Sequence, residues 1–526
     1  MSKILGLTHT YHDSAVAYIE DGVIKGLYEE EKLTGIKAIF QPNINPEKGL
    51  NCLKSKLNVN LSDLDHIAFA LPYPRKYALE MSGTANRATF SEYSHHNCHA
   101  LGSYFTSGFS DKVLSISVDG SGLQSRSKVF LCENGIFEQV HSQKASCTAS
   151  LPTVWGFATE NLGWKMLKDE GKVVGLAAHG EIDEKLYKLM SQCIYYEYLT
   201  FKPSEFSTIW RYLFSNVYKD KFKDPIFRAN FAATLQKFTE DLIVCYLKDI
   251  NNIYPEYKKV CFSGGLFANV KLNKVINELD FFDEIFIHPA MSDAGLALGA
   301  AICKAYELGE ITKPQKLNNC FYGESFCKSE WEDYIFDHKD VLNVENFNLD
   351  IAAKLIHEGN VIGLFAGRTE YGPRALGARS ILVRPTDSKT HAKLNERLSR
   401  TEIMPFAPSI LKEKLNEVFI AHKSVYASEF MTLCYDTRSE WLSRIPAVVH
   451  SQDGTSRPQS VCKENNKFFH DIISAYYNVS GIPLVLNTSL NAHGEPINNY
   501  PHQVVNHLLN GCIDYIVTED FIISKK

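Results

Sequence analysis

Short apolar runs broken by polar turns open the chain. Ile4 to Thr8 and Ser14 to Ile19 read as strands, and Asp21-Gly22 separates the second from Val23 to Tyr28. Asp-Gly between two β-rich runs predicts a hairpin. Glu47 to Leu57 has a helical pattern, Ile67 to Leu71 that of another strand, and Glu92 to Phe109 a helical one ending near Gly108. Val113 to Val118 is a buried strand running into Asp119-Gly120-Ser121-Gly122. Glu133-Asn134-Gly135 predicts a second hairpin, between Lys128–Cys132 and Ile136–Gln143. From about Leu186 to Ile253 the pattern is mostly helical and aromatic. Two strand–turn–helix units follow: Val260 to Phe262 into Gly264-Gly265, and Glu284 to His288 into a helix from about Ala294. Hairpins beside strands that feed helices predict an α/β fold of mixed sheets with helices on their faces.

The pattern lapses after Gly309. The segment ITKPQKLNNCFYGES has no periodicity and reads as a domain edge, and Val361 to Phe365 opens a new strand–loop unit. At 526 residues the chain exceeds one hydrophobic core. The expected division is 1–325 and 345–526, with no internal repeat or low-complexity tract.

Composition narrows the class. Apolar residues make up 45% and charged residues 22%, ordinary for a globular protein. The net charge of −6 speaks against a nucleic-acid surface. Thirteen cysteines without a CxxC pair read as reduced thiols of a cytoplasmic protein. No apolar run has the length of a signal peptide or a membrane span. The aromatic stretch from Tyr195 to Tyr218 suits either a core or a homodimer interface.

Candidate chemistry sits at strand ends. His95 and His99, four residues apart in a helical segment, share one face as two metal ligands require. No Glu follows His95, so the HExxH protease pattern is absent. Asp119 ends a strand, and Asp293 opens a helix after His288-Pro289. Two His with one or two Asp make a plausible shell for a divalent metal; a turn residue and a helix N-cap are the structural alternatives for the two aspartates. Asp119-Gly120-Ser121-Gly122, Ser263-Gly264-Gly265 and the glycines of EGKVVGLAAHG can bring backbone N–H groups close to phosphate. None is a Walker A or dinucleotide fingerprint, and plain turns account for each taken singly.

Taken together, the segments YHDSAVAYIEDG, EEEKLTGIK, SHHNCHA, SVDGSG, EGKVVGLAAHG, FSGGLFANVKLN, HPAMSDAGLALGAA, GRTEYGPRALGARSIL, MPFAPSIL, VHSQDGTSRPQSV and NTSLNAHGEPI resemble the NodU/CmcH family of carbamoyltransferases. They run in order through nearly the whole chain. The resemblance implies an N-terminal TsaD-like domain of the actin-like ATPase superfold and a C-terminal YrdC-like domain. It implies a metal, iron by analogy, on His95, His99, Asp119 and Asp293. It also implies ATP with Mg and carbamoyl phosphate as substrates, a carbamoyl-adenylate, and transfer to a hydroxyl of a sugar or secondary metabolite.

The same resemblance assigns roles. His12, with Asp13 beside it, matches the acceptor site, where an imidazole suits proton transfer near neutral pH. Lys37 matches a lysine that would stabilise developing negative charge. Gly120, Ser121, Gly122, Lys172, Ser263, Gly264, Gly265 and Asn269 would hold the nucleotide. In the second domain Arg374, Arg379, Arg400 and Arg457 are the expected phosphate forks. Ser380, His450, Asn487, Ser489 and Asn491 would supply further polar contacts.

Two motifs depart from the family pattern. Lys32, Gly35 and Ala38 replace basic residues of the second segment, while Lys37 stays. Leu398, Thr401 and Met404 stand where Lys, Glu and Arg are usual, while Arg400 stays. A threonylcarbamoyl-type tRNA-modifying enzyme shares the adenylate logic. The order of the two domains and the acidic net charge favour the carbamoyltransferase over it; the GPRALG and NTSLN segments speak against a regulatory ATP-binding module, and the His95–His99 pair with the second domain against a sugar kinase.

Overall fold

The computed structural model describes residues 2–10, 12–37, 46–71, 83–85, 87–120, 122, 125–144, 150–203, 206–401 and 403–526. Ser121 and Ala38 lie outside these residues. The chain forms two compact units. One comprises Met1–Ile24, Phe40–Asn45 and Asn60–Leu317; the other comprises Lys25–Ile39, Pro46–Val59 and Asn318–Lys526. The expected division at 325 and 345 is corrected in two ways: the break falls after Leu317, and two N-terminal segments join the second unit. The physical reason is buried polar pairing. The Lys32 ammonium donates to the carbonyls of Glu370 and Gly372, and Leu27 N–H donates to Tyr322 O. A reading that follows the chain has no means of seeing such pairs.

The first unit holds two sheets. The first contains β1 (Lys3–His9), β2 (Ser14–Glu20), β3 (Val23–Glu29, of which only Val23 and Ile24 belong to this unit), β4 (His66–Ala70) and β5 (Thr89–Tyr93), in the order β3-β2-β1-β4-β5. β1 and β2 pair antiparallel, Lys3 opposite Glu20, while β4 and β5 run parallel to β1 and β4; the Asp21-Gly22 turn joins β2 to its sheet neighbour β3, as the sequence predicts. The chain passes into the second unit along β3.

The second sheet contains β6 (Val113–Val118), β7 (Ser125–Glu133) and β8 (Ile136–Lys144). A hairpin, β9 (Ile194–Glu197) and β10 (Thr200–Pro203), stands apart. β11 (Lys259–Ser263) and β12 (Glu284–Ile287) complete the sheet in the order β12-β11-β6-β7-β8. β6, β11 and β12 are parallel, and all six residues of β6 are buried. Parallel strands covered on both faces are buried along their length, and in β6 that includes Ser115 and Ser117.

Two expectations are corrected here. Glu92 to Phe109 is not all helix: β5 takes Thr89–Tyr93, and the helix His95–Ser107 starts only after Ser94, whose Oγ accepts the Asn97 N–H at 3.3 Å. That side-chain cap fixes the start. The aromatic region after Leu186 is interrupted by the β9–β10 hairpin, where Tyr198 and Leu199 turn with positive φ.

The helices that position the site cross closely. A Cβ on Gly299, in the helix Leu296–Glu307, would lie 2.1 Å from the Cys98 carbonyl oxygen in the helix His95–Ser107. Only glycine permits this approach. It fixes the ends of both helices that carry site residues.

The second unit is built on one eight-stranded sheet. Its strands are β13 (Leu342–Asn346), β14 (Ile362–Phe365), β15 (Arg379–Val383), β16 (Ala407–Leu411), β19 (Gln459–Val461), β20 (Leu484–Ser489), β21 (Tyr515–Val517) and β22 (Phe521–Lys525). Their order is β13-β22-β21-β14-β15-β20-β16-β19. A short pair, β17 (Tyr435–Asp436) and β18 (Thr455–Ser456), lies outside it. Among the described residues no helix is long and apolar enough to cross a membrane.

Candidate active site

The C-terminal ends of β6, β11 and β12 lie side by side, the place where open α/β sheets bind ligands. β6 delivers Asp119, β11 delivers Ser263-Gly264-Gly265, and β12 leads through His288 to Asp293. The capped helix His95–Ser107 supplies His95 and His99 one turn apart, with ring centroids 4.7 Å apart.

These four side chains converge. One ligand atom from each of His95, His99, Asp119 and Asp293 lies within 4.8 Å of the others, and all four residues are buried. His95 Nε2 and His99 Nε2 each approach Asp293 Oδ1 at 3.4 Å, while Asp119 stands 3.9 and 3.6 Å from them. Both ring nitrogens of His95, His99 Nε2 and Asp293 Oδ1 are buried without a hydrogen bond. Buried polar atoms are otherwise almost always paired. Unpaired His95 Nε2, His99 Nε2 and Asp293 Oδ1, with the Asp119 carboxylate beside them, fit a divalent cation with nitrogen and oxygen ligands.

Charge balance agrees with that fit. Burial would raise the Asp293 carboxyl, but His95, His99 and His12 around it hold it well below the usual carboxylate range. Burial lowers His95, keeping its imidazole neutral and able to offer a lone pair. His96, between the ligands in sequence, faces away. Its Nδ1 lies 2.9 Å from Ser117 Oγ and its Nε2 2.8 Å from the Ser125 carbonyl.

His12 follows β1 and reaches the same point. Its Nε2 is 3.6 Å from Asp293 Oδ2, and its Nδ1 is 3.3 Å from Asp13 Oδ2. Asp13 is itself anchored by the Ala294 N–H at 3.2 Å. Burial opposes the charged imidazole, yet Asp13 and Asp293 raise its pKa to about 10. Lys37 lies in the second unit, after the short helix Glu30–Thr34.

The nucleotide-loop candidates divide. Gly264 has φ +100°, and a Cβ there would sit 2.2 Å from Val118 O. This tight pass brings Gly265 N–H to 2.6 Å from Asp119 Oδ2. Ser263 Oγ is buried beside them without a hydrogen bond. Gly120 O accepts from Ser150 Oγ at 3.2 Å, and Gly122 packs on the His96 ring. Asn269 is further off: it caps the helix Val270–Glu278 and exchanges hydrogen bonds with Gln236. Lys172 is buried against Asp169 at 3.0 Å.

In the second unit the predicted residues fall into two groups along β20. Ser380 pairs directly with Ser489 across β15 and β20. Arg400 donates to Ser489 O at 2.8 Å, Asn491 Oδ1 at 2.9 Å and Thr488 Oγ1 at 3.0 Å. Two residues back on the same face, Asn487 donates to Ala375 O at 3.1 Å and Ser409 Oγ at 2.9 Å. This ties the loop bearing Arg374 to the sheet. Half-buried Arg457 lies two residues before Gln459, which donates to Leu376 O at 2.7 Å in the same loop. His450 N–H closes the following turn on Thr455 O at 2.8 Å.

Arg379 has a different setting from the one expected. It is fully buried, and its guanidinium donates to the carbonyls of Ala366 (3.0 Å), Gly367 and Ala378 (both 3.2 Å) and Glu324 (3.3 Å). Its plane lies over Phe365 at 3.6 Å.

Sequence reasoning missed Glu370, Gln459 and Ser409. Glu370 Oε1 accepts three backbone N–H groups, from Leu376, Ala378 and Arg379, at 2.7–3.0 Å. The available signal was position: Glu370 sits inside the same glycine-punctuated segment as Arg374. It also missed Lys32, treated only as a replaced basic residue.

Residues 71–302 match the family model described as carbamoyltransferase N-terminus, and residues 353–525 the one described as carbamoyltransferase C-terminus. The uncharacterised protein MJ1058 of Methanocaldococcus jannaschii is 32% identical over 461 residues, 84% of this chain and 74% of that protein. Nodulation protein NolNO of Sinorhizobium fredii is 29% identical over 570 aligned positions, covering 100% of this chain and 82% of that protein. Among solved structures, HypF of T. kodakarensis superposes with a TM-score of 0.36 at 16% identity, over 59% of this chain and 48% of that one. Matches to both halves, and a relative aligned along most of both chains, establish that the protein belongs to the carbamoyltransferase family and is a carbamoyltransferase.

Proposed function

We propose that the protein is an ATP-dependent O-carbamoyltransferase working in two half-reactions. The observation that carries this reading is the convergence of His95, His99, Asp119 and Asp293 beside His12. A family whose chemistry is carbamoyl transfer needs a place to receive an activated carbamoyl group and deprotonate an acceptor, and this cluster has the parts.

In the first half-reaction water splits carbamoyl phosphate into carbamate and phosphate. A carbamate oxygen then attacks the α-phosphorus of ATP, and pyrophosphate leaves. Arg374, Arg457 and the Ser380–Ser489–Arg400–Asn491 group are the candidate ligands for the anions in the second unit, taken as a YrdC-like domain. Arg379, whose two terminal nitrogens are engaged by carbonyls, is taken as the scaffold of that loop.

In the second half-reaction an acceptor hydroxyl attacks the carbamoyl carbon, and AMP leaves. His12 takes the hydroxyl proton at Nε2, while Asp13 fixes the ring through Nδ1. A divalent cation, iron by family resemblance, would be held by the four ligands and would offer positive charge to the carbamoyl oxygen or the phosphate. When bound, such a cation would oppose a proton on His12, whose neighbours Asp13 and Asp293 favour one. Ser263, Gly264 and Gly265, in an actin-like superfold, are the candidate phosphate-side contacts.

The test is pyrophosphate release from ATP by the purified chain, with and without carbamoyl phosphate and with no acceptor present. Release that depends on carbamoyl phosphate is expected. No release from folded protein supplied with ATP and Mg would count against the first half-reaction.

A further inference from the structure

We infer that Lys32 is a positioning residue for the anion-binding loop of the second unit, holding the backbone on which Arg374 stands. The inference rests on the proposed role of Arg374 as an anion ligand.

The Lys32 side chain is only 4% exposed. Its ammonium donates to Glu370 O and to Gly372 O, both at 2.7 Å, and pairs with the Glu29 carboxylate. Glu29 Oε2 in turn accepts the Gly372 N–H at 3.1 Å. An ammonium has three donors, and three acceptors surround this one. It has none left for a substrate, so its action on the reaction is indirect.

The segment it clamps is short and constrained. Gly372 turns with φ +96°, Pro373 follows, and Arg374 comes next. Glu370 Oε1 gathers the N–H groups of Leu376, Ala378 and Arg379 from the far side of the loop. Arg374 is thus carried between two buried clamps, one reaching from each side. The lysine clamp is itself braced, because the neighbouring Glu30 accepts the Gly49 N–H at 2.9 Å near the start of the helix Glu47–Leu57. Burying a lysine is costly unless it is fully paired. Its retention here, on two carbonyls of one loop, points to the loop's geometry as what it secures.

The full-length protein is tested as Lys32→Met, Lys32→Arg and the double variant Glu29→Gln/Lys32→Met. Pyrophosphate release is measured with carbamoyl phosphate varied, and hydrogen exchange is followed across residues 366–379. For Lys32→Met, KM for carbamoyl phosphate should rise about tenfold or more, with kcat less affected, because small displacements of a binding group cost that much or more. The Leu376 and Ala378 amides should exchange faster, and Lys32→Arg should recover most of the loss. The double variant, which leaves no unpaired buried carboxylate, serves with the same readouts if Lys32→Met does not fold. Folded variants with unchanged KM and unchanged exchange overturn the inference. Arg374→Ala is run in parallel. If it leaves pyrophosphate release unchanged, the anion-ligand reading fails by itself, and the exchange of residues 366–379 then decides whether Lys32 orders the loop.

Discussion

Gly265 donates its backbone N–H to Asp119 Oδ2 at 2.6 Å, so the turn after β11 braces a carboxylate delivered by β6. The bond exists because Gly264 passes against the Val118 carbonyl in a conformation that L side chains rarely adopt. The glycine pair therefore braces the candidate metal cluster.

Gly264→Ala should strain the turn by on the order of 1–3 kcal/mol and release Asp119. Since outer partners of a metal ligand are worth about 10–100-fold in affinity, divalent-metal affinity should fall by about tenfold. A competition titration with a metal-sensitive dye reads this directly. Affinity equal to the wild type would show that Asp119 needs no such brace.

His99→Ala removes one of the four inward-facing ligands and should weaken metal binding by more than the about 10–100-fold typical of an outer-shell loss. Elemental analysis after dialysis checks it. Carbamoyl-phosphate-dependent pyrophosphate release should persist, because no residue proposed for that step lies in this cluster. Unchanged metal content would remove His99 from the ligand set.

How far the sequence revealed this site depends on the kind of interaction. The four candidate ligands that converge were legible because each stands next to a strand end or in a capped helix: Asp119 after β6, Asp293 after β12, His95 and His99 one turn apart. The strands of the β2–β3 and β7–β8 hairpins were legible from their Asp-Gly and Asn-Gly turns. The sequence pattern starts the helix at Glu92, inside β5, and so misses the Ser94 cap and the strand before it. Pairings distant in sequence left no local trace. Lys32 with Glu370, 338 residues apart, and Gln459 with Leu376, 83 apart, are examples. So the assignment of Lys25–Ile39 to the second unit and the carbonyls around the buried Arg379 show only in the folded chain.

Glu30 gives a pH dependence. Burial raises its carboxyl from 4.5 to about 7, against the lowering effect of the Gly49 and Lys48 N–H groups. The folded chain thus binds more protons than the unfolded one between those values, and stability falls as pH rises through that window. At about 1.4 kcal/mol per unit, the loss is on the order of 2–3 kcal/mol. Glu30→Gln should flatten the denaturation midpoint between pH 4.5 and 7 relative to the wild type. An identical slope in both proteins would place Glu30's titration outside the folding equilibrium.

Arg379 separates a scaffold role from a substrate role. Its guanidinium bridges carbonyls of Ala366, Gly367, Ala378 and Glu324 while its face covers Phe365. Arg379→Met would strand those buried acceptors, at a cost on the order of 3–5 kcal/mol. Arg379→Lys keeps a charge but not the planar fork, so it should recover only part of that. Chemical denaturation measures both. Arg457→Ala, at a half-buried position, should instead keep its denaturation midpoint while losing pyrophosphate release. The two arginines were expected to do the same work, so opposite outcomes matter: a stable Arg379→Met that fails to release pyrophosphate would return Arg379 to the phosphate site, and an unstable one would leave that task to Arg374 and Arg457.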